Sequence, residues 1–302
     1  MRSLLNGYEL AGAPSPAAST RSQFGETSDG QVVDASEPRV KELGGAEGLH
    51  CRPTARPWVS RCGQVLGPDH PDTFTTHGNF AAMTGEAGDE AGARDLFTAL
   101  LPDLEWVLGP DHPYTLSARS NLAFFTGEAG DAAGARDLCT TLLPDQERVL
   151  GPDHTGTFTT RSNLAEWTGE AGNAAGARDL FTALLTDRLR VLGPDHPHTL
   201  TTRSKLAGWT GVAGDAAGAR DLFTALLTDR LRVLGPDHRD TLSALSKLAL
   251  WTGAAGDAAG ARDLFAALLT DRLRVLGPDH PHTVSARSEL AFWTREARNA
   301  AI

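Results

Sequence analysis

Six Asp-His pairs stand along this chain, at Asp69-His70, Asp111-His112, Asp153-His154, Asp195-His196, Asp237-His238 and Asp279-His280. An acid beside an imidazole can move protons or hold a metal. Each pair, however, lies in the same six-letter string, VLGPDH, and the strings recur every 42 residues. Pairs in separate inter-repeat turns are about a helix hairpin apart, at ~8–10 Å per packed helix, far beyond the ~2 Å reach of a metal bond. They are expected to cap helices instead. His196-Pro197-His198 and His280-Pro281-His282 bring two imidazoles close, which suits at most a weak metal contact. The glycines of GEAGDAAGARD precede no Gly-Lys-Ser/Thr, follow no strand and lack the G-x-G-x-x-G fingerprint, so they fit tight turns and close packing rather than a phosphate loop. No nucleophile–base–orienter set is visible. These residues point to no catalysis, no cofactor and no metal.

The same period defines the elements that carry these residues. A fixed repeat of this size marks an array that buries apolar surface between neighbouring copies. Residues 1–56 share nothing with it; they are rich in Ser, Gly, Pro, Ala and Glu, and are expected to be disordered. Residues 57–66 read as a worn remnant, with Trp58-Val59 where Leu100-Leu101 falls one period later. Full copies follow at 67–108, 109–150, 151–192, 193–234 and 235–276, and a half copy at 277–302. Each copy predicts two helices. In 193–234, Gly193-Pro194 stops the preceding helix, Asp195 or His196 caps the next, and Pro197 suits its first turn. TLTTRSKLAGWT forms the first helix. Gly211 to Gly214 break it, Asp215 caps the second, and Ala219, Leu222, Phe223, Leu226, Arg230 and Val233 form a stripe with Arg230 as its polar exception.

Ala93, Ala135, Ala177, Ala219 and Ala261 never vary, which fits close helix approach. Four residues on stand Phe97, Phe181, Phe223 and Phe265, with Cys139 as core filler in the remaining copy. Arg in the runs Thr186 to Arg190, Thr228 to Arg232 and Thr270 to Arg274 complements the helix dipole. The half copy ends where its second helix would begin. Leu290, Phe292 and Trp293 are then expected to lack a partner within the chain, so that either this end pairs with another molecule or the gene is truncated.

The formal charge of -10 and pI near 5.4 argue against nucleic acid or an anionic membrane as ligand. No run nears the ~18–20 apolar residues of a membrane span, and Leu4-Leu5 is too short for a signal-peptide core. Cys51, Cys62 and Cys139 are odd in number with no metal spacing, so a reducing cytoplasm is the expected location. The Ala, Gly, Arg and Asp bias suits a GC-rich bacterial genome.

The segment LGPDHPYTLSARSNLAFFTGEAGDAAGARDLCTTLL resembles the tetratricopeptide repeat, in the 42-residue form of kinesin light chains. The likeness is carried by Asn121-Leu122-Ala123, Gly130, Ala135, Leu142-Leu143 and the LGPDHP linker, and it covers about 57–302. Runs such as WTGAAGDAAGARDLF are similar to actinobacterial repeat proteins. The resemblance implies an all-α right-handed solenoid of antiparallel helix hairpins, with first helices lining a concave groove. One departure is Thr126, Thr168, Thr210, Thr252 and Thr294 where the family usually has Tyr. The aromatic is one residue earlier in most copies, as in Phe125, Trp167, Trp209, Trp251 and Trp293.

Comparison between copies singles out the columns that vary. One runs Ala82, Phe124, Glu166, Gly208, Leu250 and Phe292, directly after an invariant Ala; another runs Asp72, Tyr114, Gly156, His198, Asp240 and His282. They read either as specificity positions facing a ligand or as drift at exposed sites. A third runs Asn79, Asn121, Asn163, Lys205, Lys247 and Glu289. By resemblance its Asn residues clamp a peptide backbone, which an amide's donors and acceptor suit; Lys205 and Lys247 add attraction for an acidic stretch. The alternative is a solvated helix face. The expected function is a non-enzymatic scaffold for a peptide or protein, the second reading a sensor fragment of a larger signalling protein whose nucleotide-switch domain is absent here.

Overall fold

The computed structural model describes residues 63–300. The expected disorder of 1–56, most of the remnant 57–66, Cys51 and Cys62 lie outside the described residues. After helical residues 63–66 come α1 (Pro71–Glu86), α2 (Glu90–Val107), α3 (Pro113–Glu128), α4 (Ala132–Val149), α5 (Thr155–Glu170), α6 (Ala174–Leu192), α7 (Pro197–Val212), α8 (Ala216–Leu234), α9 (Arg239–Ala254), α10 (Ala258–Leu276) and α11 (Pro281–Asn299). The fold class is all-α, as expected. Two compact units divide the chain between Leu164 and Ala165, within α5. In the first, α1 to α4 pack in chain order and α1 also touches α3; in the second, α6 to α11 pack in chain order and α7 also touches α9.

The turns explain why these helices start and stop. Of the two cap candidates it is His196 that caps α7, its Nδ1 accepting from the His198 N–H at 3.2 Å. His70, His112, His154, His238 and His280 accept in the same way from the residue two positions on. The neighbouring Asp does something else: Asp111, Asp195 and Asp237 pair with Arg148, Arg232 and Arg274 at the end of the same copy's second helix. These Arg residues therefore close the hairpin with an ion pair as well as meeting the helix dipole. At the inner turn Gly214 takes φ 104, a left-handed conformation that strains any side chain. Asp215 then caps α8, accepting from the Gly218 N–H at 2.8 Å.

The core is the predicted stripe. Ala93, Ala135, Ala177, Ala219 and Ala261 have no exposed surface, and Phe97, Phe181, Phe223 and Phe265 at most 1%. Cys139 is equally buried in their place, and burial pushes its thiol up to about 12. The displaced aromatics have a definite seat. Phe125 lies on Gly85, Trp209 on Gly169, Trp251 on Gly211 and Trp293 on Gly253, so close that a methyl at any of these glycines would overlap the ring. The Thr after the aromatic turns inward to its own helix, as Thr210 Oγ1 donates to the Leu206 carbonyl at 2.8 Å. A Tyr is not needed because the preceding ring fills the space.

Arg230, the exception on the stripe, is only 5% exposed. Its Nη1 donates to the Asp240 carbonyl at 2.7 Å, and Arg272 does the same to His282 at 2.7 Å. A buried guanidinium thus ties the end of one copy to the first turn of the next. Leu104 and Gln146 occupy this column in the first unit.

The last helix corrects two expectations. It runs to Asn299 because Arg298 stands where Gly256 breaks α9. Trp293 does not lack a partner: it is 7% exposed in a cluster with Leu242, Ala249, Phe265 and Leu268, and Leu290 and Phe292 pack against that cluster. No helix among the described residues is long and apolar enough to cross a membrane.

Candidate functional site

In the first unit the candidate residues lie on the first helices of their copies. Asn79 on α1 is exposed, and Asn121 on α3 and Asn163 on α5 are half-buried. The Asn163 amide nitrogen is buried and meets no acceptor. A buried donor without a partner costs on the order of 1–3 kcal/mol. Phe124 corrects its reading as a ligand-facing position. It is only 7% exposed and stands edge-on to Phe125, centroids 5.2 Å apart, so it belongs to the packing.

The column that begins with Asp72 is also structural. In every copy its backbone N–H donates to the capping His. The side chain varies because the main chain makes the contact. Tyr114 uses its side chain too: its hydroxyl donates to the Phe74 carbonyl at 2.8 Å, and burial raises its pKa to about 12.

The second unit holds Glu166, Lys205, Lys247, Leu250 and Phe292. Leu250 and Phe292 pack on the last core cluster, and the Arg295 guanidinium lies 5.6 Å from the Phe292 ring centre. Glu166 and Lys205 are drawn together. Lys205 Nζ donates to Glu166 Oε1 at 2.8 Å, with side-chain exposures of 13% and 16%. Trp209 Nε1 donates to the other carboxylate oxygen at 3.2 Å. Both oxygens of Glu166 are therefore engaged by the following copy. Trp209 is the member of this cluster that the column comparison missed. The signal was present, since opposite charges stand 39 residues apart in columns that neighbour each other on the first helix.

Lys247 differs. The residue is half-buried, its ammonium is closely surrounded by protein, and among the described residues it forms no ion pair. Burial, then the charge of Lys205, lowers its pKa to about 8; Glu166 opposes this and Arg230 adds to it. The site thus gathers two ammoniums around one carboxylate and has an excess of positive charge inside an acidic protein. Nothing in it supplies a nucleophile with a base. Among the described residues no three His, Cys, Asp or Glu side chains converge as metal ligands.

Comparison with known proteins gives the fold a context. Models described as the tetratricopeptide repeat match residues 114–188 and, with a second such model, 199–240 and 241–282, together more than half of the chain. Among solved structures, nearly identical repeats of a Podosopora anserina protein assigned as a kinesin light chain share 20% identity at a TM-score of 0.61, covering 68% of this chain and 98% of that one. BtubC (BKLC) from P. vanneervenii shares 18% identity at a TM-score of 0.62, covering 74% of this chain and 90% of that one. No curated protein matches the chain.

Proposed function

This chain belongs to the tetratricopeptide repeat family, and from that premise we propose that it is a non-enzymatic scaffold of the kinesin-light-chain-like kind, holding an extended peptide or protein segment along its first helices. Repeats of this family generally bind protein partners. The observation that carries the reading is the Asn163 amide, a buried donor with no acceptor on a first helix. Asn79 and Asn121 stand at the same position of the two preceding copies, so an extended segment crossing the copies would meet one amide every few peptide units. A free, buried Cys139 fits a reducing compartment, and the cytoplasm is the proposed location.

Co-purification with the full chain followed by mass spectrometry identifies the partner. The test is then the double substitution Asn121→Ala and Asn163→Ala, with circular dichroism checking that the helices persist. We expect the affinity for the identified partner to fall about tenfold or more, as loss of two backbone hydrogen bonds implies. Unchanged affinity in the folded variant would remove the clamp.

A further inference from the structure

The copies of the array differ at one place in a way that defines an open site. Around Lys205, the acceptor is Glu166 of the preceding copy, 39 residues back. Around Lys247, the residue 39 back is Gly208, and a Cβ built there meets nothing within 4 Å. The indole seat is the same, although Leu250 follows Lys247 where Gly208 follows Lys205. Trp251 lies on Gly211 as Trp209 lies on Gly169, with the same ring atoms closest. Trp209 spends its indole N–H on the Glu166 carboxylate, whereas at the equivalent place before Trp251 stands Gly208, which has no side chain to accept. Lys247 forms no ion pair among the described residues.

We infer that the Gly208–Lys247–Trp251 position is a carboxylate-binding site, filled by an incoming carboxylate that takes the place Glu166 holds one copy earlier. The anion would receive a charge-assisted hydrogen bond from the Lys247 ammonium and a neutral one from the Trp251 indole, as Glu166 receives from Lys205 and Trp209. This rests on the proposal that first helices hold a peptide, and adds that the bound segment places an acidic group here. The groups facing Lys247 are Lys205, Glu166 and Arg230. Lys205 is already neutralised by Glu166, while Arg230 brings a second buried cation whose Nε has no partner. Burial favours loss of the Lys247 proton, and a bound carboxylate reverses that preference. Binding is expected to be strongest below pH 8 and to fade above it, as the ammonium titrates.

The chain has three lysines, Lys41, Lys205 and Lys247, so lysine-selective NMR labelling of the full chain reads the site directly. The probes are Ac-Gly-Glu-Gly-amide, its Gln counterpart, Ac-Gly-Gly-Gly with a free C-terminal carboxylate, and sodium acetate. The Glu peptide is expected to shift the Lys247 signal and raise its pKa, and the Gln peptide to do neither. A response to the free C-terminus alone identifies a chain end as the source, and an equal response to acetate a small free carboxylate. Gly208→Glu, which the open space accommodates, is expected to raise the Lys247 pKa unaided and to block all carboxylate probes. Lys247→Gln is expected to weaken the Glu peptide about tenfold or more. A Lys247 signal that ignores every carboxylate, or follows the Gln peptide equally, would overturn the site. Partner binding that still depends on Asn121 and Asn163 would then show that the scaffold reading survives without it.

Discussion

Two neighbouring interfaces in the second unit share one indole seat and differ, among other positions, at Glu166 and Gly208. At the first, Glu166 closes the polar space between copies by accepting from Lys205 and Trp209. At the second, Gly208 leaves the corresponding space open before Lys247. The seats of the two indoles are the same, and so are the flanking alanine and phenylalanine of the core. A repeat array can therefore give a polar position an internal acceptor in one copy and none in the next, while keeping the same indole seat.

The comparison breaks most severely if the frame itself is damaged. Phe223→Ala removes a fully buried ring between the two interfaces and is expected to cost about 3–5 kcal/mol in urea denaturation. A loss under about 1 kcal/mol would mean that this ring does not hold the frame. Next in size is Glu166→Gln. It leaves Lys205 largely buried without its counter-charge, and is expected to cost about 2–3 kcal/mol, less than the ~3–5 of a fully buried pair because both side chains keep some solvent. An unaffected stability would make the closed interface no more satisfied than the open one.

The pH dependence sharpens the contrast further. Lys247 titrates at about 8 in the folded chain against an ordinary value of 10.5. Between these values the unfolded chain binds the additional proton, so stability from this group rises with pH; its penalty is full below about 8 and relieved towards 10.5. Cys139 opposes this at high pH, since its raised thiol loses stability once the unfolded thiol ionises near its ordinary 9. The difference between the parent chain and Lys247→Met isolates the lysine. We expect Lys247→Met to be the more stable below pH 8, with the gap closing by pH 10. The smallest effect belongs to Asp237→Asn. It removes an exposed pair with Arg274, and is expected to leave thermal unfolding nearly unchanged at physiological salt.

The fold was legible because its signals repeat. The invariant alanines, the Gly breaks and the Asp and His caps recur in copy after copy, and a periodic pattern is hard to misread. The candidate site was legible only in part. Lys205 and Lys247 look equivalent along the chain, and only the residue 39 back distinguishes the occupied one from the open one. Phe124 stands in the same column as Glu166 but packs on Phe125, because a large apolar side chain at that position turns to the core where a charged one meets a partner. The column of Asp72 through His282 varies freely although it is structural, because a backbone N–H makes its contact and no side-chain type is required. Trp293 looked unpartnered because its seat, Gly253, lies in the preceding copy.

The difference between the two interfaces is tested most directly by exchanging them. In the double variant Glu166→Gly and Gly208→Glu the vacancy moves from Lys247 to Lys205. Lysine-selective NMR titration should then find the depressed pKa transferred, with Lys247 returned towards its ordinary range and Lys205 lowered. A Lys247 that still titrates near 8, beside an unchanged Lys205, would contradict the view that one missing carboxylate defines the open position.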